Sequence, residues 1–346
     1  MTDLTVTSPD HPAPIFSGKA LPTSLAQLRP IIETAFEAWL QKTESAATRQ
    51  AYRRDVEQFL AFQGLKPGQI EHLVRISPRQ INDWRDHLLA TGGRPDAQGN
   101  ATAAANSTVA RKLTALRSFF SFLQVGGYRG GNPAHPNFVS APKVPDDGLT
   151  PAIPPKQMAA LLSAPDADTP AGVRDRAILA VFAYMALRVD ELHHIKVGNI
   201  TRDGEHTVIR IKGKGNDLRR GVLPPLAATP VHAWIKAIGI EADRGGPLFR
   251  PALSPRGKGR DGFVRKPMTV RAIQQLIKRY CQQVGIDQAV SVHSLRVTAA
   301  TEADRAGVEL RQIQKWLGHR DPRTTLRYIR AGEDLDRSPA YVLRFG

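Results

Sequence analysis

Cysteine is almost absent: Cys281 stands alone in 346 residues, which excludes an intrachain disulfide and a cysteine zinc finger. Long apolar runs are missing too. The longest, "ILAVFAYMAL" at 178–187, is too short to span a bilayer. The opening "MTDLTVTSPDHPAPIFSGKA" has no basic start followed by an apolar stretch, so no secretory signal is expected and the chain reads as soluble and cytoplasmic. Aromatic residues make up only 6% and no internal repeat is visible. Acidic residues are the scarcer charge, 32 against 48 lysines and arginines, a formal +16. That excess favours a polyanionic partner through phosphate neutralisation and counterion release, nucleic acid before a membrane surface. A membrane-surface protein would need an amphipathic helix with a broad exposed apolar face, and none is read here.

What is present is mostly helical periodicity. Residues 1–29 are rich in Pro, Ser and Thr and read as a flexible arm. From 30 to 125 four helices follow, with apolar stripes at Ile32, Phe36, Trp39 and Leu40, then at Tyr52, Val56, Phe59 and Leu60. A third is capped by Ser77 with Pro78 in its first turn, and the fourth turns Leu113, Leu116, Phe120 and Leu123 inward. "GGRPDAQGNATAAA" between the last two reads as a flexible loop, and 126–152 as an interdomain linker dense in Gly and Pro. In 153–330, helices are expected over "PPKQMAALLSAP" and "AGVRDRAILAVFAYMAL", and a β-hairpin near 207–223. Three more helices should end at Gly285, Gly307 and Gly318, and 331–346 forms a C-terminal tail. The fold class expected is mainly α in two domains, the first all-helical and the second helical with a small antiparallel β-sheet.

Chemistry concentrates in the second domain, in pieces that are individually ordinary. Arg188 in "ALRVDEL" is read at the end of an apolar helix, where a cap paired with Glu191 explains it equally well. Lys214 sits in the Gly-flanked "GKGND", where lysines are usually solvated. "HSLR" places His293 and Arg296 on one helix face if it opens a helix. His319 follows Gly318, and Tyr328 stands among Arg320, Arg323, Arg327 and Arg330. A tyrosine seen alone is most often a packing residue. His193 and His194 suggest a metal, but neighbours on a helix point apart, so no metal and no cofactor are expected.

Order and spacing change this. Arg188, Lys214 after 26 residues, His293 and Arg296 after 79 more, His319 23 past Arg296 and Tyr328 nine further on together resemble the tyrosine recombinase (phage integrase) family over nearly the whole chain. "TRQAYRRDVEQFLAF" and "NSTVARKLTALRSFFSFL" look like its core-binding domain, and "ALRVDEL" to "LGHRDPRTTLRYI" like its catalytic domain. The resemblance implies that Arg188, Lys214, His293, Arg296 and His319 are catalytic and Tyr328 the nucleophile of a site-specific recombinase. It also implies a tetramer on double-stranded DNA with paired inverted-repeat core sites, accessory DNA-bending proteins, and a tail that docks on a neighbouring subunit. A chain ending after Arg330 that still assembled and recombined would sink the docking. Asp190 replaces a small residue of the family motif and should face solvent.

The chemistry is coherent without the name. A phenol with an ordinary pKa of about 10 is a poor nucleophile at neutral pH unless cations or a base assist it. Two guanidiniums can clamp a phosphodiester's non-bridging oxygens. Histidines can hydrogen-bond or move protons, and a mobile lysine can protonate the departing 5′ oxygen. A 3′-phosphotyrosine would conserve the bond energy. Tyr341, past an acidic stretch, is the weaker nucleophile. The competing readings are a type IB topoisomerase-like nicking-closing enzyme and a non-catalytic DNA-binding regulator on the same fold.

For DNA contacts, Arg49, Arg53, Arg54, Arg111, Lys112 and Arg117 of the first domain are expected to track the backbone, with Thr48, Gln50 or Asn106 as base readers. Arg271, Gln274 and Lys278 share a helix face in the second domain, and Arg320 and Arg323 are phosphate-contact candidates.

Overall fold

The computed structural model describes residues 24–96, 98–144, 150–213, 218–253, 262–286 and 290–329. The chain divides into two compact units, 1–145 and 146–346. Lys214, Arg330, Tyr341 and the tail lie outside the described residues, as does almost all of the expected N-terminal arm.

The first unit holds α1 (Leu25–Gln41), α2 (Ala46–Phe62), a 3-10 turn (Ile70–Arg75), α3 (Pro78–Thr91) and α4 (Asn106–Val125). Helix α1 starts within the residues expected as an arm. Leu28 and Ile32, four apart, both bury and carry the apolar stripe back past Pro30. Pro30 costs one interior hydrogen bond close to the helix start. Phe36, Trp39 and Phe119 pack as tilted and edge-on rings, and Trp39 stacks on Tyr52. Ser77 and Gln80 form a capping box on α3.

Two loops are better held than the sequence suggests. In 92–105, Gly93 N–H donates to Thr102, Asp96 N–H to Asn100, and the Asp96 carboxylate accepts from Gln98 and Asn100. The segment read as a linker is, through residue 144, part of this unit: Tyr128, Ala134 and Val139 are buried in its core. Its carbonyls, and those of the 3-10 turn, are satisfied by side chains. Arg117 donates to Ala134 and Val139, and Arg129 to Leu73, Val74 and Ile76. Gly and Pro density signals a missing backbone ladder, but side-chain donors can replace that ladder.

The second unit runs α5 (Pro155–Ser163), α6 (Pro170–Met185), α7 (Val189–His193), β1 (Ile200–Asp203), β2 (His206–Lys212) and β3 (Leu218–Leu223). After these come α8 (Pro225–Ala237), α9 (Val270–Gln283), α10 (Val292–Arg305), α11 (Leu310–Leu317) and α12 (Pro322–Leu326). The strands form one antiparallel sheet in the order β1-β2-β3, so the expected hairpin gains a short third strand. Helix α8 was not visible in the sequence because Pro230 breaks its pattern. It forms because Val231, Trp234 and Ile235 bury against the core, with Trp234 Nε1 donating to Leu248. Gly285, Gly307 and Gly318 have positive φ where helices end. A smaller apolar cluster of Ala186, Ala299, Ala300, Ile313 and Leu317 supports Trp316, Tyr328 and Ile329.

Candidate active site

Five segments of the second unit bring five of the six expected residues, or their partners, together. Helix α6 ends at Ala186, the one described non-glycine residue with positive φ, at 47°. An alanine in the left-handed region costs roughly 1 kcal/mol, and here the turn aims its carbonyl at Arg296 Nη1. It also corrects the place of Arg188, which is the N-cap of α7 rather than the end of α6. Glu191, one turn on, accepts from the Arg188 backbone N–H (2.9 Å) and from its Nη1 (2.8 Å). Asp190 is exposed.

Ser291 caps α10, so His293 and Arg296 leave its first turn. Arg296 is 1% exposed. It donates to the carbonyls of Ala186 and Leu317, and from Nη2 to His319 Nε2 at 2.9 Å. A guanidinium only donates, so Nε2 must accept and the His319 proton sits on Nδ1. That proton points to Thr325 Oγ1 at 3.0 Å. Gly318, φ 64°, makes the sharp turn that delivers His319, and a Cβ there would lie 3.0 Å from Arg219 Nη1.

Tyr328 follows α12. Its N–H is held by Thr325 and its carbonyl by the Thr301 hydroxyl of α10 at 3.1 Å. The phenol ring sits 4.9 Å from the His293 ring and 4.8 Å from that of His319, centroid to centroid, with Arg296 Cζ 5.6 Å from its centre.

Burial and three guanidiniums set the protonation states. His319 is pushed down to about 3, first by burial and then by Arg296, Arg188 and Arg219. His293 falls below the usual 6.5 through burial, Arg296 and Arg188. Both imidazoles are neutral near pH 7, and the Nε2 of His319 is already engaged by Arg296. Arg296 drops to about 10, chiefly by burial, and stays a cation.

The structure adds Arg219, which donates to Glu191 Oε2 at 2.7 Å and to the Trp316 carbonyl. A signal existed: Arg219 pairs with Ile211 across the sheet, on the face that buries Ile211. Period-two alternation therefore puts an arginine on the inner face of β3. Thr301 and Thr325, both fully or nearly buried, carried no such signal.

The expected backbone-tracking cations fare unevenly. Lys112 is buried, its Nζ turned to Asp55 and Gln58, so it is not a surface contact. Arg117 is committed to the carbonyls of Ala134 and Val139. Arg111 forks onto Asp55, Arg53 pairs with Glu37, and Arg49 donates to Thr43 and Glu44. Arg54, Gln50, Asn106, Arg271, Gln274, Lys278, Arg320 and Arg323 are exposed, and Thr48 is partly so. His193 Nδ1 meets the Met268 carbonyl and His194 Nδ1 that of Asp190. Among the described residues no cluster of His, Cys, Asp and Glu is arranged to hold a metal ion.

Residues 151–334 match the phage integrase family and 35–125 the phage integrase N-terminal SAM-like domain. Tyrosine recombinase XerD of Xanthomonas axonopodis pv. citri is 33% identical over 301 residues, covering 84% of this chain and 88% of the relative. XerD of Neisseria meningitidis serogroup B is 31% identical over 294 residues, covering 84% and 89%. A lambda integrase dimer (75-356) bound to a COC′ core site shares the fold at TM-score 0.61 and 14% identity, covering 89% of this chain and 95% of that one. XerH bound to a palindromic difH substrate does so at 0.61 and 17%, covering 89% and 81%. The chain belongs to the phage integrase family.

Proposed function

We propose that the protein is a site-specific DNA recombinase that cleaves and rejoins strands through Tyr328, working as a tetramer on paired inverted-repeat core sites. The observation that carries the reading is the convergence of Arg188, Arg296, His293 and His319 around one phenol. XerH is named as bound to its difH substrate and lambda integrase as bound to its core site, which supports double-stranded DNA as the partner. No described helix is long and apolar enough to cross a membrane. We place the protein in the cytoplasm, where its DNA is.

Arg188 and Arg296 clamp the non-bridging oxygens of the scissile phosphate and hold it in line with the phenol. Tyr328 Oη attacks phosphorus, and its proton passes to the neutral imidazole of His293. The bond to the 5′ oxygen breaks, and that oxygen takes a proton from Lys214. The product is a 3′-phosphotyrosine and a free 5′-hydroxyl. Attack by a 5′-hydroxyl of another strand reverses the step on a new partner. Neither metal nor nucleotide cofactor is needed.

The test is to incubate the protein with sheared DNA of its source, without metal or ATP, then denature and sequence the 3′ ends bound to protein. Adducts at a discrete inverted-repeat core, lost in Tyr328→Phe, are expected. Adducts scattered without a core would favour the nicking-closing enzyme. Salt-sensitive DNA binding with no adduct would overturn the enzyme reading in favour of the regulator.

A further inference from the structure

Arg188 has a problem the clamp mechanism does not address. Its guanidinium is bound to Glu191 at 2.8 Å, and Glu191 is only 5% exposed. A buried carboxylate that close offsets part of the charge its partner offers to anything else, although water still reaches the Arg188 side. An arginine so paired is less suited to attract a phosphate.

The same carboxylate has a second cation. Glu191 Oε1 takes Arg188 Nη1, while Oε2 takes the Arg188 backbone N–H and Arg219 Nη2 at 2.7 Å. The Arg219 side chain is 16% exposed against 41% for Arg188. Arg219 thus faces inward to the carboxylate, and Arg188 retains the solvent side. Resting on the recombinase reading above, we propose that Arg219 is a positioning residue that neutralises Glu191, so that Glu191 orients Arg188 without spending its charge.

The charge count supports this. Before Lys214 and the proton taken by His293 are counted, Arg188, Arg219 and Arg296 against Glu191 leave two net positive charges around Tyr328. A phosphodiester carries one negative charge, and addition of the phenolate oxygen makes the pentacoordinate state carry two. Loss of Arg219 removes one of these charges, and the doubly negative transition state loses more by it than the singly negative ground state; only that difference changes the rate.

Arg219 also holds the Trp316 carbonyl, so a scaffolding role must be separated from an electrostatic one. The experiment compares rates of adduct formation on sheared source DNA, with thermal unfolding of each variant as a check. Arg219→Met should slow the wild-type rate by about a hundredfold, the scale of losing one preorganised transition-state partner. Adding Glu191→Gln removes the charge that Arg219 offsets, and the double variant should recover about tenfold of that loss. Arg219→Lys keeps the charge but cannot span both partners, and should stay within about tenfold of wild type.

A scaffold would give the opposite pattern, with the double variant no faster than Arg219→Met and Arg219→Lys as slow. That outcome overturns the inference while wild-type adducts keep the recombinase reading intact. If Arg219→Met fails to fold, Arg219→Lys decides alone. Wild-type protein that forms no adduct overturns both.

Discussion

Arg129 in the first unit and Arg296 in the second are built alike. Each runs its guanidinium into backbone carbonyls: Leu73, Val74 and Ile76 for Arg129, Ala186 and Leu317 for Arg296. Burial lowers the pKa of both. They differ in what lies beside those carbonyls. Arg129 has the ring of Phe120 beneath it, whereas Arg296 has an imidazole, a phenol and the cations Arg188 and Arg219. A buried cation, or a shifted pKa, is therefore no mark of chemistry by itself. Convergence of proton-transferring groups on it is.

The largest expected effect breaks that likeness directly. Arg296→Lys should lower adduct formation by about a hundred- to a thousandfold, since one ammonium cannot reproduce the fork toward His319, the two carbonyls and a phosphate. DNA retention should change only a few-fold. Arg129→Lys should instead cost about 2 kcal/mol of stability in urea unfolding, as several carbonyls lose donors. Its adduct rate per folded molecule should match wild type. Equal catalytic damage from both substitutions would erase the distinction.

How much of this was legible follows the same division. Arg188, His293, Arg296, His319 and Tyr328 could be singled out because their chemistry and spacing survive without coordinates, while Lys214 lies outside the described residues; the helix ends could be read because Gly285, Gly307 and Gly318 supply the left-handed conformation. Lys112 and Arg117 were misread because a helical wheel shows charge but not the partner across the core. Asp55 lies 57 residues from Lys112, and the carbonyl of Val139 sits in a segment with no regular structure. Helix α8 was missed because tertiary burial of Trp234 overrides the local preference of Pro230. Arg188 was misplaced by one element because nothing in "MALR" announces that an alanine will take a left-handed turn.

Acid should sharpen the contrast next. His319 titrates near 3 in the folded chain against 6.5 when exposed. Between those values the unfolded state binds more protons, so stability present above pH 6.5 is lost as pH falls toward 3. Thermal unfolding of the full chain from pH 7 to pH 4 should therefore show a drop that His319→Gln makes shallower. The acid limb of adduct formation should lie below the usual 6.5 of an exposed histidine, because burial, Arg296 and Arg188 lower the His293 pKa. An acid limb centred at or above 6.5 would remove His293 as the proton acceptor.

The smallest effect separates cations that meet solvent from those that do not. Arg271 and Lys278 stand exposed on α9, while Lys112 turns inward to Asp55. If the first two contact phosphates, each alanine substitution releases one condensed counterion fewer, and the slope of log affinity against log salt should flatten by about 1. Lys112→Met removes a formal charge of the same sign, so net charge alone would predict a comparable change. Its geometry predicts none, because an ammonium already paired with Asp55 displaces no counterion from DNA. Titrating all three variants against one duplex at several salt concentrations decides between these accounts. Equal flattening by Lys112→Met would mean that overall charge, rather than the placement of particular side chains, governs how this protein holds DNA.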